Sequence, residues 1–262
     1  MDYDSFPYNK LTRYFLESRG VDENTEYEIF TMKARDLLCP RRIDLMAKWL
    51  YIDAKNSGKG IEECLEVYKA HLRAWSKGTF TECGSPEKNS FDKYLKTFNE
   101  INNSIRERGF DETISIIPIG RHCEILDGSH RVSCAAYYDQ FIKVIKFPGL
   151  SVCYDAQYFS NLGLENRYIE RMVKKYMELK ENTFVLYACN CTRDACKLFK
   201  EYIQAINYLE VVFYKEIEEC IVIVFEMIEK DGMRRLKKMM DDLQNRDRMN
   251  YIFLDIDRRA YE

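Results

Sequence analysis

Residues 124–136 constrain the fold more than any other stretch, reading Glu-Ile-Leu-Asp-Gly-Ser-His-Arg-Val-Ser-Cys-Ala-Ala. An apolar approach ends in Asp127, the chain turns at Gly128, and small helix-compatible residues follow at once. Such a junction points backbone N–H groups outward at a helix N-terminus, where the dipole favours an anion. Gly128 permits close approach and dihedrals closed to other residues. Ser129, His130 and Arg131 add donors for phosphate oxygens, and Ser133, about one turn further, adds a hydroxyl. Asp127 is suited to hold Mg²⁺ or to take a proton from an attacking hydroxyl. A plainer reading stays open on these residues alone. Asp-Gly is a common hairpin turn, Ser129 could cap the helix, and His130 could be an ordinary exposed side chain.

The surrounding pattern predicts an α/β protein. The first forty residues lack clear periodicity. Helices are expected over Arg41 to Ser57 and over Ile61 to Trp75, the second with Cys64, Leu65, Tyr68 and Leu72 on one stripe. A polar loop, Thr79 to Asn89, carries Glu82 and Lys88, either as a substrate-contacting segment or as a solvated surface loop. Ser90 is placed to cap a helix from Phe91 to Arg108. Strands are expected at Thr113 to Ile119, His122 to Leu126 and Ile142 to Phe147, with a helix from Ser129 to Tyr138. Past Pro148-Gly149 the pattern alternates. Helices at Glu165 to Leu179, Thr192 to Ile206 and Met233 to Gln244 are interleaved with strands at Thr183 to Tyr187, Glu210 to Tyr214, Cys220 to Ile228 and Tyr251 to Asp255. Three regions result: a mainly helical 1–90, a core at 91–150, and an α/β portion at 151–262.

Composition excludes several function classes. The 262 residues are 46% hydrophobic and 32% charged, as in an ordinary globular protein, with a net charge of −3. No overall basic field attracts nucleic acid or a membrane surface. The longest apolar run, Ile221 to Phe225, is too short to span a bilayer. The ten cysteines sit mostly singly in apolar stretches, and the opening MDYDSFPYNK lacks a signal-peptide pattern, so a reducing cytoplasm is expected. Cys189, Cys191 and Cys196 cluster, but zinc needs a fourth ligand that does not accompany them. Asp44 and Lys48, four apart, are expected to pair on an exposed helix face, and Arg41-Arg42 to lie at the surface. His71 falls off its helix's apolar stripe.

The stretch Ile105, Gly109-Phe110, Ile117-Pro118-Ile119, Ile125 to Arg131 and Ala135-Ala136 resembles the ParB/sulfiredoxin superfamily core. Sulfiredoxins carry a catalytic cysteine before the His-Arg pair, where this chain has Ser129. The chromosome-partitioning ParB proteins continue into helix-turn-helix domains, which the C-terminal pattern here does not match. The free serine kinases of the superfamily are similar in their Asp-Gly-x-His-Arg turn, matched by Asp127 to Arg131. A longer pattern resembles ParB-like proteins of bacterial surface-polysaccharide gene clusters. It is carried by Arg42 to Lys48, Tyr68 to His71, Glu82, Lys88-Asn89-Ser90 and Gly109-Phe110-Asp111.

The resemblance implies a ParB/sulfiredoxin-like core and a small-molecule kinase using ATP or ADP with Mg²⁺. Asp127, His130 and Glu82 would be catalytic, and Gly128, Ser129, His130, Arg131 and Ser133 would hold nucleotide phosphates. Lys88 and Arg42 would contact a sugar, polyol or amino-acid acceptor. The alternative is a nucleotide-binding regulatory module without turnover. A nuclease is the weakest reading, with one His and one Asp in a single turn of an acidic chain.

Overall fold

The computed structural model describes residues 3–82, 84–189, 197, 200–203, 205–247 and 250–254. It is an α/β protein of two compact units, Met1–Met172 and Val173–Glu262. The expected regions 1–90 and 91–150 lie together in the first unit, and the second begins at Val173 rather than at 151.

In the first unit a three-stranded sheet has the order β1 (Glu28–Lys33), β3 (Phe141–Lys146), β2 (Ile117–Ile119). β1 pairs antiparallel with β3, and β2 runs parallel to β3. The crossover from β2 to β3 is helix α5 (Ser129–Tyr137), so the Asp127 turn sits inside a βαβ unit. Before it come α1 (Arg13–Arg19), α2 (Asp44–Ser57), α3 (Ile61–Trp75) and α4 (Phe91–Arg108).

Helix α4 follows from its pattern. Tyr94, Phe98, Asn102 and Ile105 are its buried stripe, and Ser90 Oγ caps it by accepting from the Lys93 N–H at 3.4 Å. Helix α5 packs against both α2 and α4. Its buried run Val132, Ser133, Cys134, Ala135 and Ala136 is small enough to let two helices approach. A core of Phe15, Leu16, Ile116, Leu126, Ile145 and Phe147 gathers residues from α1, the sheet and its flanking turns. The unit closes with α6 (Ala156–Asn161) and the start of α7 (Asn166–Leu179).

Two expected strands are corrected. Only Ile117–Ile119 of the 113–119 run is a strand, because Asp111 Oδ1 accepts from both the N–H and the hydroxyl of Thr113, at 2.9 and 2.6 Å. That side-chain turn diverts the backbone from a ladder. Residues 122–126 make only an isolated bridge, Ile125 to Ile119. There the buried Glu124 carboxylate accepts from the N–H of His122 and of Val152 and from Ser151 Oγ, folding the segment into a loop. Burial opposes ionisation of Glu124, but these hydrogen bonds hold its carboxyl below the usual range. β1, in turn, lies where no periodicity was legible.

The second unit is a four-stranded antiparallel sheet, β5 (Leu209–Ile217), β6 (Cys220–Met227), β4 (Thr183–Cys189), β7 (Asn250–Leu254). Leu236 and Met240 of α8 (Gly232–Asp247) pack into a core with Leu186, Ile221, Ile223 and Phe225. Cys191 and Cys196, two members of the cysteine cluster, lie outside the described residues, as does most of the helix expected at 192–206.

Gly128 is required twice over. Its φ is +86°, and a Cβ there would lie 2.9 Å from Ile117 Cδ1 and 2.8 Å from Arg131 Nη2. Gly128→Ala is expected to lose more than about 1–2 kcal/mol in urea unfolding, the cost of a left-handed L-residue before any clash. Gly149→Ala, with open space around it, is the near-neutral control.

Candidate functional site

The Asp127 turn forms one wall of a cleft of about 640 Å³ inside the first unit, a size typical of small-ligand sites. The cleft draws on α1, α2, α3, the 79–88 loop, α4, α5 and Tyr154. Six basic side chains line it, Arg19, Arg42, Lys48, Lys77, Lys88 and Arg131, against three acidic ones, Asp44, Glu82 and Asp127. A chain acidic overall thus presents a cationic cleft, which favours an anionic ligand.

At the helix end, Gly128 is the N-cap, so Ser129 is the first helical residue rather than a cap. The first helical bond runs from the Val132 N–H to the Gly128 carbonyl at 3.0 Å. The N–H groups of Ser129, His130 and Arg131 therefore lack an intrahelical acceptor, and among the described residues no side chain caps them. Arg131 Nη2 lies 3.7 Å from Asp127 Oδ2, both side chains half-buried. Ser133, expected at the phosphates, is placed elsewhere. It is fully buried on the inner side of α5, does not line the cleft, and its Oγ has no partner.

Glu82 and Lys88 do line the cleft, joined by an ion pair of 2.7 Å. Their loop is held where Tyr14 of α1 packs over Gly84, at a spot where a Cβ would clash with the ring. Lys88 also lies 5.7 Å from the Tyr94 ring centroid.

Beneath them lies a group whose burial the sequence reading missed. Arg42 Nε and Nη2 donate to the two carboxylate oxygens of Asp44 at 2.7 and 2.9 Å, and Nη1 donates to the Ile125 carbonyl. Lys48 Nζ donates to Asp44 Oδ2 at 3.0 Å. The expected Asp44–Lys48 pair exists, but with Arg42 it is 2–4% exposed rather than at the surface. The signal was present. These charges are set among Ile43, Leu45, Met46, Ala47, Trp49 and Leu50, so the opening turns of the helix are apolar all round and have no solvent face for them.

The electrostatics follow. Burial would raise the Asp44 pKa, yet the charges of Arg42 and Lys48 drive it far below the carboxylate range. Burial pulls the Lys48 ammonium down, and Arg42 adds to this against the pull of Asp44. Burial, then the positive charge of Lys48, bring His71 down to about 3, so this cleft-lining ring is neutral. His71 sits by the Tyr68 backbone, though Nδ1 has no partner of hydrogen-bond geometry.

His130, expected as both a phosphate ligand and a catalytic group, is likewise neutral. Burial and then Lys48 and Lys88 hold it well below its ordinary value. Its Nε2 is 2.7 Å from Tyr68 Oη, whose own pKa burial raises well above normal. The neutral phenol and the neutral ring share this one hydrogen bond; where the phenol donates, Nε2 accepts and Nδ1–H is the donor that the ring keeps. His130 can contribute one hydrogen bond but no charge.

Among the described residues no three His, Cys, Asp or Glu side chains gather as a metal cage. Magnesium commonly takes one or two carboxylates and completes its shell with water and phosphate oxygens. The lone carboxylate of Asp127, beside an uncapped helix end, fits that donor set.

Asp44→Asn leaves two buried cations together and is expected to cost about 3–5 kcal/mol in urea unfolding. The pH dependence has a definite sign. In the unfolded chain both imidazoles titrate near 6.5, whereas folded His71 titrates at about 3 and His130 well below 6.5. Below pH 6.5 the unfolded chain binds more protons. Stability should therefore fall from pH 7 to 5, by up to about 1.4 kcal/mol per pH unit for each ring. A flat profile of melting temperature across that range would contradict the neutral burial of both.

Compared with protein-family models, curated proteins and solved structures, the chain gives no match.

Proposed function

We propose that the chain is a nucleotide-dependent kinase of small molecules, transferring a phosphoryl group to a hydroxyl of a sugar, polyol or amino acid. One observation carries this reading: Asp127 stands beside the uncapped N–H groups of Ser129, His130 and Arg131 on the wall of a cationic cleft. A nucleotide's terminal phosphates would take those N–H groups and the Arg131 guanidinium, with Nδ1 of His130 adding a donor in the tautomer that accepts from Tyr68. Asp127 would accept the proton of the acceptor hydroxyl as the new O–P bond forms and the bond from the terminal phosphorus to the nucleotide's bridging oxygen breaks, releasing the nucleotide one phosphate shorter. When bound, Mg²⁺ would be held by Asp127 and would neutralise phosphate charge. The remaining contribution is positioning and fixed charge, from Lys88 beside Glu82 and from Arg131.

A second reading has its own support. The 3.7 Å approach of Asp127 to Arg131 also suits a carboxylate that only orients the arginine, as in a nucleotide-binding module without turnover.

Melting temperatures with ATP, ADP, CTP and GTP, each with and without Mg²⁺, test the site on wild type and Arg131→Ala. A Mg²⁺-dependent rise for one nucleotide, lost in the variant, is expected. No rise with any nucleotide removes both readings. With the nucleotide known, Asp127→Asn should keep the rise and lose product formation roughly 100-fold or more. Undiminished product formation would take the base role from Asp127.

A further inference from the structure

The uncapped helix end accounts for one anion, but the cleft has a second cationic pole. Arg42 has five N–H donors and Lys48 three. Five of these go to the Asp44 carboxylate, the Asp44 carbonyl and the Ile125 carbonyl. Three remain, on groups only 4% and 2% exposed that nevertheless line the cleft. The charges do not balance either, since two buried cations share one carboxylate, and the neighbouring Glu82 is already taken by Lys88. A buried cation with spare donors is costly unless an anion completes it. The neutral His71 ring, 2% exposed, lines the cleft with them, its Nδ1 buried beside the Tyr68 backbone.

We infer that Arg42, Lys48 and His71 form a second anion subsite, which receives a carboxylate or phosphate monoester on the acceptor. The acceptor is then a hydroxylated small molecule that itself bears an anionic group, not a neutral sugar or polyol. Only the word acceptor rests on the kinase reading; the subsite stands on the donor and charge imbalance. No bond changes at this subsite, which positions one end of the molecule while a hydroxyl faces Asp127.

The test titrates D-glycerate, glycerol 3-phosphate, glycerol and ADP with Mg²⁺ separately into wild type, Lys48→Met and Arg131→Ala, reading melting temperature and affinity. Methionine matches the lysine stem and leaves the Arg42–Asp44 pair intact, so the variant should melt at or above wild type. One of the two anions, but not glycerol, should bind wild type and Arg131→Ala alike. That affinity should fall about tenfold or more in Lys48→Met, while binding of ADP should survive Lys48→Met and be lost in Arg131→Ala. The anion that binds tells carboxylate from phosphate. If neither binds, or if Lys48→Met binds it unchanged, the subsite is overturned. Loss of both the anion and ADP in Lys48→Met would also overturn it, since there would then be one phosphate site. Failure of ADP alone would remove the kinase reading and leave the subsite standing.

A measurement on wild type covers the case in which the variant does not fold. The chain has 3 histidines, so ¹⁵N-histidine spectra resolve each ring. The bound anion should shift the His71 signals and leave the exposed His122 unmoved. Unmoved His71 signals at saturation would overturn the subsite.

Discussion

Asp44 is the counter-ion on which the cleft depends. Two cations cannot occupy so dry a place alone, because each forfeits hydration worth several kcal/mol. The carboxylate restores part of that through bidentate geometry with Arg42 and a shared oxygen with Lys48. The same arginine reaches the Ile125 carbonyl, two residues before Asp127, and stacks against Tyr154, 5.1 Å from its ring centroid. The Tyr154 N–H in turn donates to the Arg41 carbonyl at 2.7 Å. One charged cluster therefore fastens the start of α2, the loop that delivers the functional turn, and the segment beyond the sheet.

The parts of the fold legible in the sequence are those in which local pattern and tertiary role agree. Helices α3 and α4 begin and end where stripe and cap place them, and α5 starts directly after Asp127-Gly128. The segments that misled are those where side chains compete with the ladder. Asp111 captures Thr113, and Glu124 captures three neighbours, each turning a β-branched or apolar run into a loop. β1 escaped because neither of its faces is buried: Glu28, Phe30, Thr31 and Lys33 are exposed and Ile29 and Met32 only half-buried, so no alternation marks this edge strand. Of the site, the turn was legible as a motif. The cationic cleft was not, because its basic residues are scattered from Arg19 to Arg131 and total charge averages them away.

Histidine shows the same limit at the level of one side chain. His130 occupies a motif position that sequence alone reads as a phosphate ligand. Its protonation is decided by burial and by the charges of Lys48 and Lys88, and its hydrogen-bond partner, Tyr68, lies 62 positions away. Sequence gives the residue type; the neighbour assigned by folding determines what that type can do.

The cleft's composition has a consequence for the molecule's internal motions. Its walls come from segments that span residues 12 to 154, several helices and a loop far apart in the chain. A ligand seated there would act as a tie-bar between the N-terminal helix and the chain beyond β3. It would suppress partial openings that leave most of the first unit intact, so occupancy should be felt as slowed hydrogen exchange far from the ligand itself.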